Sequence, residues 1–205
     1  MAAYIDNIQT PPRVMNENEQ IAILKITGEH ADSFRDHMIL SVAFGTALRE
    51  HEIAALTVGD VVNTAGYIRT KITLKTFKRS TSTPAAQEVA VPPRLKAKLS
   101  RFLAWKKRRG QSMSPDAPLF VSKKKNQIST RAMRTLFQKW QVKAGIEVPY
   151  NFHIIRHTAI SSVYRKSKDL RLTQIFARHK SSTTTERYAY PTFQDIVATT
   201  HDLIC

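Results

Sequence analysis

The apolar period of this chain is two in one short region and close to 3.6 wherever else it is patterned, and that contrast limits the fold most. From Tyr67 onward Ile68, Thr70, Ile72 and Leu74 share one parity, as a half-buried strand requires. A turn-like STSTPAA leads into EVAVP, which reads as the returning strand of a small sheet. Between Ala31 and Glu50, by contrast, Phe34, Met38, Ile39, Val42, Ala43 and Leu48 recur at helical spacing and predict a core helix, with Arg49 at its C-terminal end and a shorter helical run through Leu56. Further helix starts are predicted at Asn18 or Glu19 and near Pro93, Ser129, Arg156, Asp169, Ser182 and Phe193. The expected fold is therefore mainly α with a small antiparallel β-sheet (α+β). Residues 1–16, with Pro11 and Pro12, read as an extended arm, and 17–205 as one compact domain without internal repeat or low-complexity linker.

Charge narrows the partner. Across 205 residues, 32 Lys+Arg stand against 16 Asp+Glu, a formal net charge of +16. Such an excess favours polyanions, because cations placed on phosphates release counterions, although charge alone does not separate DNA from RNA or an anionic membrane. No apolar stretch approaches the roughly 20 residues that cross a bilayer, and the N-terminus lacks the basic and apolar regions of a secretory signal. The single cysteine, Cys205, makes neither an internal disulfide nor a cysteine-based zinc site, which suits a reducing cytoplasm. Arg94 to Arg109 and Val121 to Lys143 contain eight and seven basic residues and no acid. Each run alone is equally well a solvated helix face. Together they mark Lys106, Lys107, Arg108, Lys123, Lys124, Lys125 and Arg131 as candidate nucleic-acid contacts, with Lys78 and Arg79 in the hairpin region. Trp105 and Trp140, at helical spacing, read as core anchors.

Four segments follow in order: GTALREHEIAAL, LKTFKRSTSTPAAQEVAVP, HIIRHT and ARHKSSTTTERY. Each has an ordinary reading by itself. Arg49 can cap a helix, Lys75 can be a solvated strand end, and Tyr188 an ordinary half-buried tyrosine. His153 and His157, four apart, suit zinc, but the glutamate of HExxH and a third ligand are missing, so no metal site is expected. In combination the segments supply what a tyrosine nucleophile needs, since a phenol is a poor nucleophile at neutral pH unless cations and proton-transfer groups surround the reacting phosphate.

Read together, these segments resemble the tyrosine recombinase (phage integrase) family over about residues 17 to 205, including its small fimbrial-switch invertases. The resemblance implies the family's catalytic-domain fold and assigns roles by position. Arg49 and Arg156 fall on the catalytic arginines, Glu52 on the glutamate that supports the first of them, His153 on the histidine of His-x-x-Arg, His179 on the penultimate His or Trp, and Tyr188 on the nucleophile. The hairpin lysine that acts as general acid falls on Lys75, with Lys78 open as an alternative, and Tyr190 is a rival to Tyr188 on spacing. His157 is expected to orient its neighbours. Two departures stand out: Arg178 occupies the place of a usual glycine, and the family's separate N-terminal core-binding domain is absent from the 205 residues.

The implied reaction is transesterification at a DNA phosphodiester through a 3′-phosphotyrosyl intermediate, with no cofactor and no metal. The implied partners are double-stranded DNA and further copies of the chain, a monomer in solution becoming a tetramer in synapsis, in the cytoplasm and on DNA. The stripe Phe193, Ile196, Val197, Thr200, Leu203 and Ile204 predicts a C-terminal helix over about 193–204 that packs on its own core or docks into a neighbour. Topoisomerase IB-like DNA relaxation and non-cleaving DNA binding by a recombinase-derived protein are the alternative functions.

Overall fold

The structure is a computed structural model that describes residues 13–30, 33–74, 87–189 and 201. Its described residues fall into two compact units, one between Val14 and Ala159, the other comprising Arg13 and those from Ile160 onward.

The first unit is built around a buried helix. After α1 (Glu17–Glu29), α2 (Phe34–Thr46) buries Met38, Ile39, Leu40, Val42 and Ala43, apolar on nearly every side, which is the pattern of a helix enclosed by others. It packs against α1, α5 (Pro93–Arg108) and α3 (Glu50–Ala55), while α6 (Thr130–Lys143) packs against α1 and α3. Two short strands, β1 (Lys71–Leu74) and β2 (Gln87–Ala90), pair antiparallel with Ile72 opposite Val89, both buried, and α4 (Val58–Val61) lies against β1. The expected mainly helical fold with a small antiparallel sheet is the fold observed.

Cap chemistry sets several boundaries. The Asn16 side chain accepts the Glu19 backbone N–H and the Glu19 carboxylate accepts that of Asn16, so α1 begins at Glu17. Ser129 caps α6 through the Ala132 N–H, as its position predicts. The core is closed by aromatic packing of Phe34, Phe102, Trp105 and Phe120, with centroids 5.4 to 5.8 Å apart. Trp140 is buried, as a core anchor should be, and its indole N–H donates to Asp36 Oδ2 at 2.9 Å while Arg35 binds Asp36 Oδ1, so the buried carboxylate is satisfied on both oxygens.

On α2, burial pushes the pKa of His37 from 6.5 down to about 4, with Lys98 adding to the fall and a backbone hydrogen bond at Leu24 opposing it. Because the unfolded chain takes up this proton before the folded one does, stability is lost as pH falls from about 6.5 to about 4. Linkage sets the expected loss at about 1–2 kcal/mol after discounting for partial exposure. Urea midpoints measured at pH 7 and pH 4.5 should show the drop, and His37→Gln should flatten most of it.

The second unit continues α7 (His153–Ser167) beyond Ile160 and adds α8 (Leu170–Ala177) and α9 (Thr183–Glu186), which pack together. The Asp169 side chain accepts the Leu172 N–H and starts α8 at its predicted position. No helix among the described residues is long and apolar enough to cross a membrane.

Candidate active site

The α2–α3 turn carries the first arginine. Helix α2 stops at Thr46 because Ala47 turns left-handed, with φ 50 and ψ 27, its N–H still bonded to the Ala43 carbonyl. Arg49 is extended and serves as the N-cap of α3. The expectation that Arg49 ends the preceding helix is therefore corrected: the break falls two residues earlier, and Arg49 opens the next helix. Glu52, buried, accepts the Arg49 backbone N–H at 2.6 Å and its Nη1 at 3.0 Å. One carboxylate thus fixes both the backbone and the guanidinium of Arg49, leaving the fork little rotational freedom.

Helix α7 carries the other groups and begins at His153, three residues before the predicted start at Arg156, because the Asn151 side chain accepts the Ile154 N–H at 3.2 Å. His153 and Arg156 are three apart and share a helix face. Arg156 is 4% exposed, and its Nη1 donates to the carbonyl of Ala47. The left-handed turn and the second arginine are therefore one unit, with Arg49 two residues from the carbonyl that Arg156 holds. Burial lowers the pKa of His153, and the charges of Arg156 and Arg49 lower it further against an opposing pull from Glu50. At neutral pH the imidazole is thus uncharged and able to accept a proton. The His157 ring lies edge-on to it, 4.6 Å between centroids.

Beside His153 lies a cavity of about 320 Å³ lined also by Glu50 and Arg134. Arg134 of α6 grips Glu50 with a fork, its Nε 2.9 and 3.2 Å from the two carboxylate oxygens and its Nη2 on Oε1. Neither residue was singled out by the sequence. They lie 84 positions apart, and no local spacing announces such a pair.

In the second unit, Arg178 is left-handed, with φ 55 and ψ 45, and closes α8 by donating its N–H to the carbonyls of Gln174 and Ile175. This is the helix-terminating position at which glycine is usual, so the side chain at 178 does not prevent the turn. The Gln174 amide holds the His179 carbonyl at 3.2 Å, and His179 Nδ1 lies 2.9 Å from Thr185 Oγ1. The His179 ring stacks on that of Tyr188 at 6.2 Å between centroids and 19° between planes. The Tyr188 N–H donates to the Thr185 carbonyl at 2.9 Å, and the residue is 9% exposed. Thr185 therefore positions both members of the pair.

The sequence model of the phage integrase family matches residues 13–195. The chain belongs to the phage integrase family. Among its relatives is the tyrosine recombinase XerC of Proteus mirabilis, 27% identical over 186 residues that make up 90% of this chain and 57% of that protein. XerC of Vibrio cholerae is 26% identical over 189 residues, 92% of this chain and 57% of its own. The chain thus spans a little over half the length of these recombinases. Among solved structures, XerA recombinase superposes with a TM-score of 0.75 at 23% identity, covering 96% of this chain and 66% of its own. The Tn1549 transposon integrase in complex with transposon right end DNA superposes with a TM-score of 0.74 at 17% identity, covering 97% and 68%. These likenesses establish the fold of a tyrosine recombinase catalytic domain.

Within this phage integrase domain the structure gathers Arg49, Glu52, His153, Arg156 and His157 in the first unit and pairs His179 with Tyr188 in the second. Lys75, Lys78, Arg79 and Tyr190 lie outside the described residues, as does the expected helix over 193–204. Lys107, Arg108, Lys123, Lys124, Lys125 and Arg131 are exposed. Lys106 is not: it is 1% exposed and donates Nζ to the Pro118 carbonyl at 2.9 Å and to Gln111 Oε1 at 3.3 Å. Its reading as a DNA contact is corrected. Leu95, Leu99, Phe102 and Lys106 form a single buried stripe at helical spacing, so the lysine stem fills the core and its ammonium is consumed internally.

Proposed function

We propose that this chain is the strand-cleaving and rejoining domain of a site-specific DNA recombinase. The observation that carries the reading is the clustering of Arg49, Arg156 and His153 around one turn. Two guanidinium forks match the non-bridging oxygens of a phosphodiester, whose negative charge grows during attack. His153 accepts the phenolic proton of Tyr188 as Tyr188 Oη bonds to phosphorus. The bond to the 5′-oxygen breaks, and Lys75 protonates that oxygen. A 3′-phosphotyrosyl link and a free 5′-hydroxyl result. Attack by a 5′-hydroxyl reverses every transfer, so rejoining consumes no external energy. His179, held by Thr185 beside Tyr188, donates to the same phosphate, and His157 orients His153.

The exposed cations Lys107, Arg108, Lys123, Lys124, Lys125 and Arg131 track the duplex backbone, joined by Lys78 and Arg79, which follow Lys75 closely in sequence. The Tn1549 integrase was solved with transposon end DNA, and double-stranded DNA is the corresponding partner here. Since one centre cuts one strand, exchange between two duplexes calls for a tetramer, assembled from monomers on DNA. The working compartment is the reducing, DNA-containing cytoplasm.

Nicked duplexes carrying inverted repeats from the DNA around the coding sequence provide the test. Cleavage next to the nick releases the short strand and traps a covalent protein–DNA adduct on a denaturing gel. Absence of adduct on a duplex that the protein binds specifically defeats the proposal. A 5′-bridging phosphorothiolate, whose sulfur leaves without protonation, is expected to restore cleavage by Lys75→Ala. Rescue of Lys78→Ala alone would move the acid three residues.

A further inference from the structure

The pair formed by Glu50 and Arg134 has no part in the mechanism above, yet it opens onto the same cavity as His153. Glu50 is the first residue of α3, adjacent to Arg49, and its side chain is 21% exposed against 59% for Arg134. The charged and titratable groups facing His153 are Arg49 and Glu50 from α3 and Arg156 and His157 from its own helix, with Arg134 of α6 reaching it through Glu50. Glu52 is turned onto Arg49. Among the described residues, Arg49 and Arg156 act on His153 as cations, His157 as a ring contact and Glu50 as a negative charge.

How much of that charge His153 feels depends on Arg134. With the guanidinium forked onto both oxygens, the carboxylate is largely neutralised. The Arg134 side of the pair is 59% exposed, so solvent and salt reach it, and its guanidinium is a group that phosphate takes readily in a bidentate grip. We propose that Glu50 is a positioning residue for His153 and that Arg134 is its DNA-responsive shield: a backbone phosphate draws Arg134 off Glu50, and the bared carboxylate then stabilises the imidazolium that forms when His153 takes the proton of Tyr188. The base is held weak in the free protein and strengthened on DNA. This role rests on the recombinase reading for its purpose, but its electrostatic content does not.

The test is an NMR pH titration of the His153 ring in the full free chain, the resonance assigned by its loss in His153→Gln. Glu50→Gln should lower the midpoint. Arg134→Gln should raise it, by about half a unit or more. The double variant should behave as Glu50→Gln. A merely structural ion pair gives no such opposition of sign, since losing either partner undoes the same contact. Arg134→Lys, which keeps the charge without the fork, should fall between wild type and Arg134→Gln, and serves as a second variant should the glutamine change disturb folding. Adding a short non-cognate duplex should raise the midpoint more in wild type than in Glu50→Gln. A midpoint unchanged or lowered in Arg134→Gln, a double variant that follows Arg134→Gln, or an equal DNA-induced rise in wild type and Glu50→Gln would each overturn the proposal. None of these readings requires cleavage, so failure here leaves the recombinase assignment intact, while absence of covalent adduct with the expected titrations defeats that assignment alone.

Discussion

Tyr188→Phe is expected to leave the protein folded and bound to DNA but to form no covalent adduct. The change deletes one oxygen. The ring that stacks on His179 at 6.2 Å remains, and so does the backbone bond to Thr185. Folding stability should therefore move by about 1 kcal/mol or less, the size of one hydrogen bond. Catalysis has no such reserve, because loss of a covalent nucleophile costs on the order of 10⁴–10⁶ in rate. Denaturing gels on nicked substrate should show the adduct at wild-type level in Tyr190→Phe and none in Tyr188→Phe. The opposite pattern would move the nucleophile two residues along the chain and sever it from the Thr185 bracket. Thr185→Val supplies an intermediate case. It removes the hydroxyl facing His179 Nδ1 while leaving the Thr185 carbonyl that fixes Tyr188, so adduct should form more slowly but still form.

The parts of this fold that local chemistry controls are legible in the sequence. Ser129 and Asp169 sit before apolar periodic runs and cap α6 and α8 through their own side chains. The alternation around Ile72 marked the sheet, and the order of basic, histidine and tyrosine segments marked the family. What escaped was set at a distance. The apolar period of α2 continues through Leu48, and its one glycine, Gly45, stays inside the helix, so the local pattern carries Arg49 into the same helix. The break at Ala47 instead accompanies a carbonyl held by Arg156, 109 positions away. Helix α7 starts ahead of the expected Arg156 because Asn151, a residue that suits a turn as well as a cap, accepts the Ile154 N–H. At Lys106 two local signals conflict: its spacing from Leu99 and Phe102 puts it on the buried stripe, while a run of four cations reads as surface. Glu50 and Arg134 had no signal at all, since an ion pair across 84 positions leaves no local pattern.

Arg156 is where folding and chemistry meet, and its substitutions separate the two. Arg156→Ala removes the donor to the Ala47 carbonyl and opens space in a buried position, an expected cost of about 2–4 kcal/mol, together with one phosphate clamp worth roughly 3–4 kcal/mol, or about 10²–10³ in cleavage rate. Arg156→Lys keeps a cation but replaces a planar fork by a single point donor. It is expected to recover much of the stability and little of the rate, remaining at least about tenfold slow in single-turnover cleavage measured well below the melting temperature. The pH profile adds a second axis. Arg156 is among the causes that hold the His153 pKa down, so Arg156→Ala should move the basic requirement of cleavage to higher pH, whereas Arg156→Lys, still charged, should leave it close to that of wild type. If the lysine variant cleaves at the wild-type rate, Arg156 is a hook for the α2–α3 turn and the phosphate is clamped by Arg49 alone. If it is slow with an unshifted profile, the fork itself is required, because charge, turn and base have all been kept.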